Sequence, residues 1–264
     1  DQYADYFLSF PADEKWGYSI KSKVKSQKSK VNIQAKNIQS TPEGISFVID
    51  NTPFNLQLLG EFNIYNSLAA ISVAQSLGVN LKQSVQALAK VSGVPGRLEI
   101  INEGQNFTVI VDYAPEPTSL IQSYKVVKGL PHEKIIHLLG SCGGGRDMAR
   151  RPILGQIAAA NADVVIVTNE DPYDDDPGEI IDQVAHGATS VGKILGQNLF
   201  KILDRRQAIK KALNLAQAGD LVFLTGKGAE QAIAGKDGQK IPWDERQVAR
   251  EELKLKSSKL LTSF

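Results

Sequence analysis

The sequence is poor in the residues that build covalent and metal cross-links. Its 264 residues include one cysteine, one methionine and three histidines. A single cysteine, Cys142, excludes an internal disulfide and is typical of a reducing compartment, so we expect a cytoplasmic protein. The histidines, His132, His137 and His186, lack the spacing of metal ligands, and we interpret them as surface or packing residues. We therefore predict no metal site within this chain.

The sequence also lacks a long apolar run and a strong net charge. No stretch of about 18 apolar residues occurs, and the first residues, Asp-Gln-Tyr-Ala-Asp, do not form a signal peptide. The chain does not begin with methionine, so we expect a processed or truncated piece. Because the formal net charge is +1, we expect neither nucleic acid nor a membrane as a partner.

Two common phosphate-binding motifs are missing. No Gly-x-Gly-x-x-Gly follows a predicted strand, which argues against a nicotinamide oxidoreductase. Residues 187–194 resemble a Walker A loop, but Ile194 stands where Ser or Thr must hold the metal. This stretch also follows a predicted helix rather than a strand. We therefore expect the chain to carry no loop of its own that cradles a triphosphate.

The first third of the chain predicts a small antiparallel sheet followed by two helices. Alternating apolar residues indicate strands at residues 16–20, 31–35, 45–49 and 54–58. Residues 21–30, rich in lysine and serine, are interpreted as a solvated loop. The period becomes helical at 61–78 and again at about 81–90. Val-Pro-Gly-Arg at 94–97 breaks regular structure, so we predict two domains, residues 1–94 and 95–264.

From Phe107 onward, strands and helices alternate. Near-continuous apolar strands joined by crossover helices predict an α/β fold, a Rossmann-like, mostly parallel sheet with helices on both faces. The predicted strands are 107–111, 135–139, 164–167, 199–202 and 221–224, and the predicted helices are 116–128, 151–161, 177–188 and 204–217. Open α/β sheets bind ligands at the carboxyl ends of their strands. The loops 112–117, 140–152, 168–177 and 225–230 should therefore lie together.

The loop at residues 140–152 contains three consecutive glycines and three arginines. Glycine allows a close backbone approach to a ligand. Arg146, Arg150 and Arg151 carry guanidinium forks that suit carboxylates and phosphates. A flexible turn with solvated arginines is the alternative. Five acidic residues fall between 170 and 176; alone they indicate a solvated loop, but opposite Arg146 they could form a mixed-charge pocket for an amino acid.

Six motifs, in order and spacing, resemble the Mur ligases, and most closely those members that add the third residue of the peptidoglycan stem peptide. They occur at residues 62–70, 94–97, 111–114, 140–152, 168–172 and 226–230. Members have a UDP-binding domain, a central ATPase domain and a C-terminal Rossmann-like domain that binds the amino acid. The resemblance implies that residues 1–94 are the later part of a central domain, a small sheet with helices, and that 95–264 are the C-terminal domain.

The resemblance implies an ATP-dependent ligase that forms an amide bond through an acyl phosphate. Its cofactors would be ATP and Mg²⁺, with the phosphate loop and metal ligands upstream of this chain. Its partners would be a UDP-N-acetylmuramoyl-peptide and a diamino acid, and the complete enzyme is expected to be a monomer. The resemblance places Asn63, Arg97 and Asp112 at the nucleotide. No catalytic residue is assigned, and we expect the 264 residues alone to be inactive.

The resemblance also implies an amino-acid site, with Arg146 at the carboxylate and Gly226 and Glu230 at the side chain. Glu170, Asp171 and Tyr173 replace the signature by which diaminopimelate-adding members bind the distal carboxylate. Because Tyr173 stands where those members have arginine, we predict that lysine is preferred over meso-diaminopimelate. 

Two further departures, Pro115 and Ala229, replace family histidines. They keep open the alternative of a non-catalytic protein that binds or acts as a scaffold.

Overall fold

The computed structural model describes residues 3–20 and 31–261. The chain divides into two compact units, Asp1–Gly93 and Val94–Phe264. The lysine-rich stretch 21–30 lies outside the described residues, so its interpretation as a solvated loop stays a prediction. Within the described residues, no helix combines the length and apolarity needed to cross a lipid bilayer.

The first unit packs short strands against two helices. Its elements are α1 (Ala4–Leu8), β1 (Gly17–Ser19), β2 (Val31–Gln34), β3 (Lys36–Thr41), β4 (Gly44–Ile49), β5 (Thr52–Leu56), α2 (Phe62–Ser76) and α3 (Leu81–Leu88). Strands β3, β4 and β5 form an antiparallel sheet. Phe47 and Phe54 face each other across it, with ring centroids 5.1 Å apart. Ile64 and Leu68, one helical turn apart on α2, are buried in the same core.

Strands β1 and β2 form a separate parallel pair. The prediction of one antiparallel sheet is therefore correct for 45–49 and 54–58 but wrong for 16–20 and 31–35. Alternation along a strand tells which face is buried and nothing about the direction of its neighbour. The connection between β1 and β2 is long enough for the crossover that a parallel pair needs, whereas β4 and β5 are joined by a tight turn.

The second unit is built on one six-stranded sheet in the order β10-β9-β8-β11-β7-β6. Its strands are β6 (Glu99–Ile101), β7 (Thr108–Val111), β8 (Ile135–Leu139), β9 (Val164–Thr168), β10 (Leu199–Ile202) and β11 (Leu221–Leu224). Every pair is parallel except β6 with β7. The mostly parallel sheet predicted from the apolar runs is confirmed.

Helices cover both faces of this sheet, as predicted. They are α4 (Pro117–Val127), α5 (Arg150–Asn161), α6 (Pro177–Thr189), α7 (Arg205–Leu215) and α8 (Glu245–Leu261). Ile136 and Leu138 of β8 pack with α7 and α8. His137, between them, points to the opposite face and meets Tyr124 of α4.

His137 is fully buried, which agrees with its interpretation as a packing residue. Its Nδ1 lies 2.7 Å from the Tyr124 hydroxyl and its Nε2 lies 3.0 Å from Oγ1 of Thr225. Burial, together with the positive charge of Arg205, lowers the pKa of His137 to about 3. The ring is therefore neutral and acts as a polar link between β8, α4 and the end of β11.

The elements of the second unit that were not predicted include the strand β6, the hairpin of β12 (Ala232–Ala234) with β13 (Lys240–Pro242), and the helix α8. The three strands have three residues each, too few to establish a period of two. Helix α8 is dominated by charged residues and buries only a narrow stripe that includes Val248, Ala249 and Leu253. Composition alone does not distinguish such a helix from a solvated tail.

Helices α5 and α6 approach each other unusually closely through two glycines. A Cβ on Gly155 would lie 1.9 Å from the carbonyl oxygen of Val184, and one on Gly187 would lie 2.0 Å from that of Pro152. Because α5 follows the loop after β8 and α6 follows the loop after β9, this contact determines how closely the two loops approach each other.

We expect Gly155→Ala to lower the free energy of unfolding of the second unit by about 1–3 kcal/mol. Alanine gains up to about 1 kcal/mol in helix propensity, but its methyl group overlaps the Val184 carbonyl. Urea unfolding followed by Trp243 fluorescence, in a Trp16→Phe background that leaves one tryptophan, reports on this unit. Gly235→Ala is the control, because it lies in the same unit and its Cβ would meet nothing closer than 3.7 Å. A Gly155→Ala protein as stable as this control would contradict the role of the close contact.

Candidate functional site

The carboxyl ends of four parallel strands meet at one edge of the second unit. Strands β9, β8, β11 and β7 are neighbours in that order, and loops 169–176, 140–149, 225–231 and 112–116 follow them. These loops form the surface where an open α/β sheet binds its ligands. All predicted site residues of this unit lie on these loops or on the turn at 94–98.

The glycine-rich loop, residues 140–149, is packed tightly against the acidic loop, residues 169–176. The N–H of Gly143 donates to the carbonyl of Asp171 at 2.8 Å, and a Cβ on Gly143 would lie 2.1 Å from the carbonyl oxygen of Pro172. Gly144 has a φ of 63°, and its Cβ position lies 2.7 Å from the ring of Tyr173. Only glycine fits both positions without displacement, and half-buried Tyr173 closes one side of the loop.

The three arginines of this region are in different environments. Arg150 and Arg151 are buried at the start of α5. Arg150 forms an ion pair with Glu116, and Arg151 donates to Asp175 at 3.0 Å. Arg146 is exposed, and its guanidinium makes no hydrogen bond or ion pair within the described part of the chain. Of the three forks, only that of Arg146 is available to a ligand.

Glu170 is buried beneath the loops, not presented on their surface. It is 2% exposed, and its Oε1 accepts a hydrogen bond from the thiol of Cys142 at 3.0 Å. Oε2 occupies the space where Gly226 would carry a Cβ, 2.2 Å from that position. Burial raises the pKa of Glu170, although Arg205 and Lys227 partly offset it. Burial and the charge of Glu170 raise the pKa of the Cys142 thiol, so it is no activated nucleophile.

Lys227 links Asp171 of the acidic loop to Glu230 of the loop after β11. This side chain is 1% exposed, and its Nζ lies 2.8 Å from Oδ1 of Asp171 and 2.8 Å from Oε2 of Glu230. Burial by itself lowers the pKa of Lys227, but the hydrogen bonds with both carboxylates outweigh it and raise the pKa. Asp171 also accepts from the N–H of Ala234 at 2.7 Å. Asp171 is therefore engaged internally, while Glu230 keeps a partly exposed carboxylate.

Arg205, the first residue of α7, holds the ends of two strands together. Its guanidinium donates to the carbonyl of Asn169 after β9, at 2.9 Å, and to that of Thr225 after β11, at 2.6 Å. It also makes two hydrogen bonds, 2.9 and 2.7 Å, with Glu245 at the start of α8, and Trp243 donates to the same carboxylate at 2.8 Å. Burial by itself lowers the pKa of Arg205, but the charge and hydrogen bonds of Glu245 outweigh it and raise the pKa, so the guanidinium is charged.

Asp112 and Arg97 lie at the β7 side of the surface. Asp112 is buried and accepts from the N–H of Leu98 at 3.2 Å and from Oγ of Ser123 at 2.6 Å. Arg97 is exposed, with its guanidinium carbon 4.2 Å from the ring centroid of Tyr113. Both oxygens of Asp112 therefore have partners within the fold, and one of them secures the residue next to Arg97.

The turn that carries Arg97 touches the loop that carries Lys227. A Cβ on Gly96 would lie 2.2 Å from the backbone nitrogen of Ala229, and one on Gly228 would lie 2.8 Å from the carbonyl oxygen of Gly96. Two glycines, one from each motif, thus permit this contact. The structure thereby brings together the predicted nucleotide and amino-acid residues of the second unit.

Asn63 belongs to the first unit, near the start of α2. Its amide donates to the carbonyl of Leu59 at 2.8 Å, and its Oδ1 accepts from Asn66 at 2.9 Å. This side chain therefore shapes the entry to α2, and its predicted contact with a nucleotide stays a prediction.

Reasoning from the sequence missed the buried groups that hold the surface in shape, namely Arg205, Glu245 and Lys227, and it missed Tyr113. One signal was present for Arg205. A cation in the first turn of a helix is disfavoured by the helix dipole, so its position there implies a strong partner. The identity of that partner, 40 residues later in the chain, could not be read from a local pattern.

Two protein-family models match the chain. The model for the Mur ligase, glutamate ligase domain, matches residues 96–228, and the model for the Mur ligase middle domain matches residues 1–74. A UDP-N-acetylmuramyl-tripeptide synthetase of Roseiflexus sp. (strain RS-1) is 42% identical over 227 residues, which are 84% of this chain and 44% of that protein.

Other relatives are named as diaminopimelate ligases. A UDP-N-acetylmuramoyl-L-alanyl-D-glutamate–2,6-diaminopimelate ligase of Syntrophomonas wolfei is 41% identical over 86% of this chain and 46% of its own length. A solved structure of a ligase with that name has a TM-score of 0.58 at 30% identity, covering 91% of this chain and 47% of its own. The chain thus spans about half the length of the relatives it matches.

We expect Arg205→Ala to destabilise the second unit by about 3–5 kcal/mol, because it leaves Glu245 buried without its partner. Lys201→Ala is the matched control; it removes the exposed pair with Asp182 and should cost less than about 1 kcal/mol. Urea unfolding in the Trp16→Phe background measures both. The double change Arg205→Met with Glu245→Met should recover much of the loss, since no charge is then left unpaired. Equal losses of stability in the Arg205 and Lys201 variants would contradict the stabilising role of the buried Arg205–Glu245 pair.

Proposed function

The chain belongs to the Mur ligase family, and we propose that it is part of an ATP-dependent ligase of peptidoglycan synthesis. The ligase adds an amino acid to a UDP-N-acetylmuramoyl-dipeptide. The peptide carboxylate is phosphorylated by ATP, and the amine of the incoming amino acid displaces phosphate from the acyl phosphate. Catalysis of this type depends on positioning and on stabilisation of charge. The observation that carries the proposal is Arg146, whose guanidinium has no partner within residues 3–20 and 31–261. Its loop is packed tightly against Pro172 and Tyr173 at Gly143 and Gly144.

The amino acid is assigned to the edge formed by loops 140–149 and 225–231. Arg146 binds its α-carboxylate through a charge-assisted fork. Glu230, whose carboxylate is half-exposed, accepts the side-chain ammonium. The backbone of Gly226 contacts the same side chain of the ligand, since the Cβ space of Gly226 is filled by Glu170. Glu170 and Asp171 lie beneath the site. They act on the ammonium of the ligand through their negative charge and not by direct contact. A second carboxylate on the ligand would need a cation at this point, and the chain has the neutral side chain of Tyr173 there.

The nucleotide is assigned to Asn63 of the first unit and to Arg97 of the second. Asp112 acts through Arg97, because it holds the N–H of Leu98 in the same turn. Within residues 3–20 and 31–261, no group of three or more His, Cys, Asp or Glu side chains is arranged to hold a metal ion. The Mg²⁺ of the proposed reaction is therefore assigned to none of these residues.

The two units take different roles in this proposal. The first, which matches the middle-domain model, contributes to ATP binding, and the second, which matches the glutamate ligase domain model, brings in the amino acid. The proposed enzyme is a cytoplasmic monomer.

A non-catalytic binding protein of the same family is the second candidate. It is favoured by Pro115 and Ala229, which stand where the family motifs carry histidines. Turnover by the complete protein distinguishes the two candidates.

We expect Arg146→Ala, in the protein encoded by the complete reading frame, to raise the KM for the amino acid by about 10- to 100-fold. The estimate follows from about 1.5–3 kcal/mol for a hydrogen bond to a charged group. Amide formation is measured with a UDP-N-acetylmuramoyl-dipeptide, ATP and a labelled amino acid. Lys125→Ala, which removes an exposed cation of α4, is the control and should leave the KM unchanged. An unchanged KM in the Arg146→Ala protein would remove this residue from the site.

We expect the complete enzyme to incorporate L-lysine in preference to meso-diaminopimelate when both are present. Diaminopimelate adds a carboxylate beside Glu230 and the buried acids, and Tyr173 offers only a neutral donor to it. Competition between the two labelled amino acids measures the preference, and Tyr173→Arg should shift it toward diaminopimelate. Preferential incorporation of diaminopimelate by the unmodified enzyme would refute this specificity and leave the ligase proposal intact.

A further inference from the structure

The turn that carries Arg97 is held at three consecutive backbone positions. The N–H of Gly96 donates to Glu99 at 2.8 Å, and that of Arg97 donates to the carbonyl of Val94 at 3.0 Å. The N–H of Leu98 donates to Asp112 at 3.2 Å. Leu98 has a φ of 47°, a conformation that costs energy and persists only where the surroundings impose it. The base of the Arg97 side chain is therefore fixed.

The end of the Arg97 side chain is supported by one ring. Its guanidinium carbon lies 4.2 Å from the centroid of Tyr113, within the range of a cation–π contact. Within the described residues the guanidinium has no hydrogen-bond or ion-pair partner, so its five N–H donors are free. An unsupported arginine loses about 2 kcal/mol of rotamer entropy when it is immobilised by a ligand. A guanidinium already resting on a ring loses less.

Tyr113 is itself firmly placed. Its carbonyl accepts the N–H of Gly226 at 2.9 Å, and its Cβ lies 3.1 Å from the position of a Cβ on Gly228. Burial, followed by the negative charge of Glu230, raises the pKa of the Tyr113 hydroxyl against the opposing effect of Arg97. The phenol is therefore neutral at physiological pH. The contact with Arg97 depends on the ring and not on a phenolate, so phenylalanine should preserve it.

We propose that Tyr113 is a positioning residue that holds the Arg97 guanidinium ready for the phosphates of the nucleotide. Tyr113 acts through Arg97 and touches no reacting atom. The inference rests on the proposed function, in which Arg97 contacts the nucleotide. It adds a residue of the loop after β7 to the nucleotide side of the site.

The contact itself is tested without any activity. In the 264-residue chain, the Arg97 side-chain protons should be shifted upfield by the ring current of Tyr113 in an NMR spectrum. Tyr113→Phe should keep that shift and Tyr113→Leu should abolish it. Phe200→Leu is the matched control, because it removes the ring beneath Lys211, at 4.7 Å, on another part of the same unit; it should leave the Arg97 resonances in place.

The function of the contact is tested by calorimetric titration of ATP into the protein encoded by the complete reading frame. We expect Tyr113→Leu to weaken ATP binding roughly three- to twenty-fold, the range of a partly exposed cation–π contact. Tyr113→Phe should bind ATP like the unmodified protein, and so should Phe200→Leu. Arg97→Ala should weaken binding at least as much as Tyr113→Leu. In the Tyr113→Leu protein, the affinity for the amino acid should not change.

Several results would overturn the inference. If Arg97→Ala weakens ATP binding but Tyr113→Leu does not, Tyr113 has no positioning role and the proposed function is unaffected. If Arg97→Ala leaves ATP binding unchanged, Arg97 is not a nucleotide residue, and that part of the proposed function fails together with the inference. If Phe200→Leu weakens binding as much as Tyr113→Leu, the loss reflects general destabilisation and the positioning role is rejected.

Discussion

The arrangement of the candidate site depends on the buried ion pair between Arg205 and Glu245. Removing two charges from water is costly, and such a pair persists only when every donor and acceptor has a partner. Here the remaining donors of Arg205 reach the carbonyls that end β9 and β11, on either side of β8. The residues that follow these carbonyls are Glu170 and Gly226. The pair therefore keeps the carboxylate of Glu170 within the space that Gly226 leaves open.

Charges at this surface fall into two groups. The first group has its partners inside the protein, and it shapes the loops without being available to a ligand. Its members are Lys227, Asp171, Arg150 and Arg151. Arg146 and Arg97 project from loops whose backbones are fixed, and their guanidinium groups are unpaired within the described residues. Side chains that are already ordered before binding lose less conformational entropy when a ligand binds. A surface of this kind suits a ligand pair with two separate anionic groups, such as an amino acid and a nucleotide.

The sheet and the position of the site could be predicted from sequence because both depend on local patterns. Five apolar runs separated by helical segments define the parallel sheet, and the topology brings the loops together. The loop motif containing Arg146 could be singled out for the same reason. Availability to a ligand could not be predicted, because Arg146, Arg150 and Arg151 look alike in sequence. Two of them are buried by the folded structure, where Arg150 pairs with Glu116 and Arg151 donates to Gln183 and Asp175. Glu170 was expected on the surface and lies beneath it, because Gly140 and Gly226, both distant from it in sequence, leave space for its side chain.

Helix α8 was the longest element to escape prediction, and it bears on where this domain can be cut. The family model for the second unit matches residues up to 228, yet the carboxylate that neutralises Arg205 comes from residue 245. A polypeptide ended at Glu230, the last residue of the recognisable motifs, would keep every residue assigned to a ligand. It would nevertheless leave a guanidinium buried without a counter-charge directly beneath them. The smallest autonomous form of this domain is therefore set by an ion pair rather than by its signature sequences.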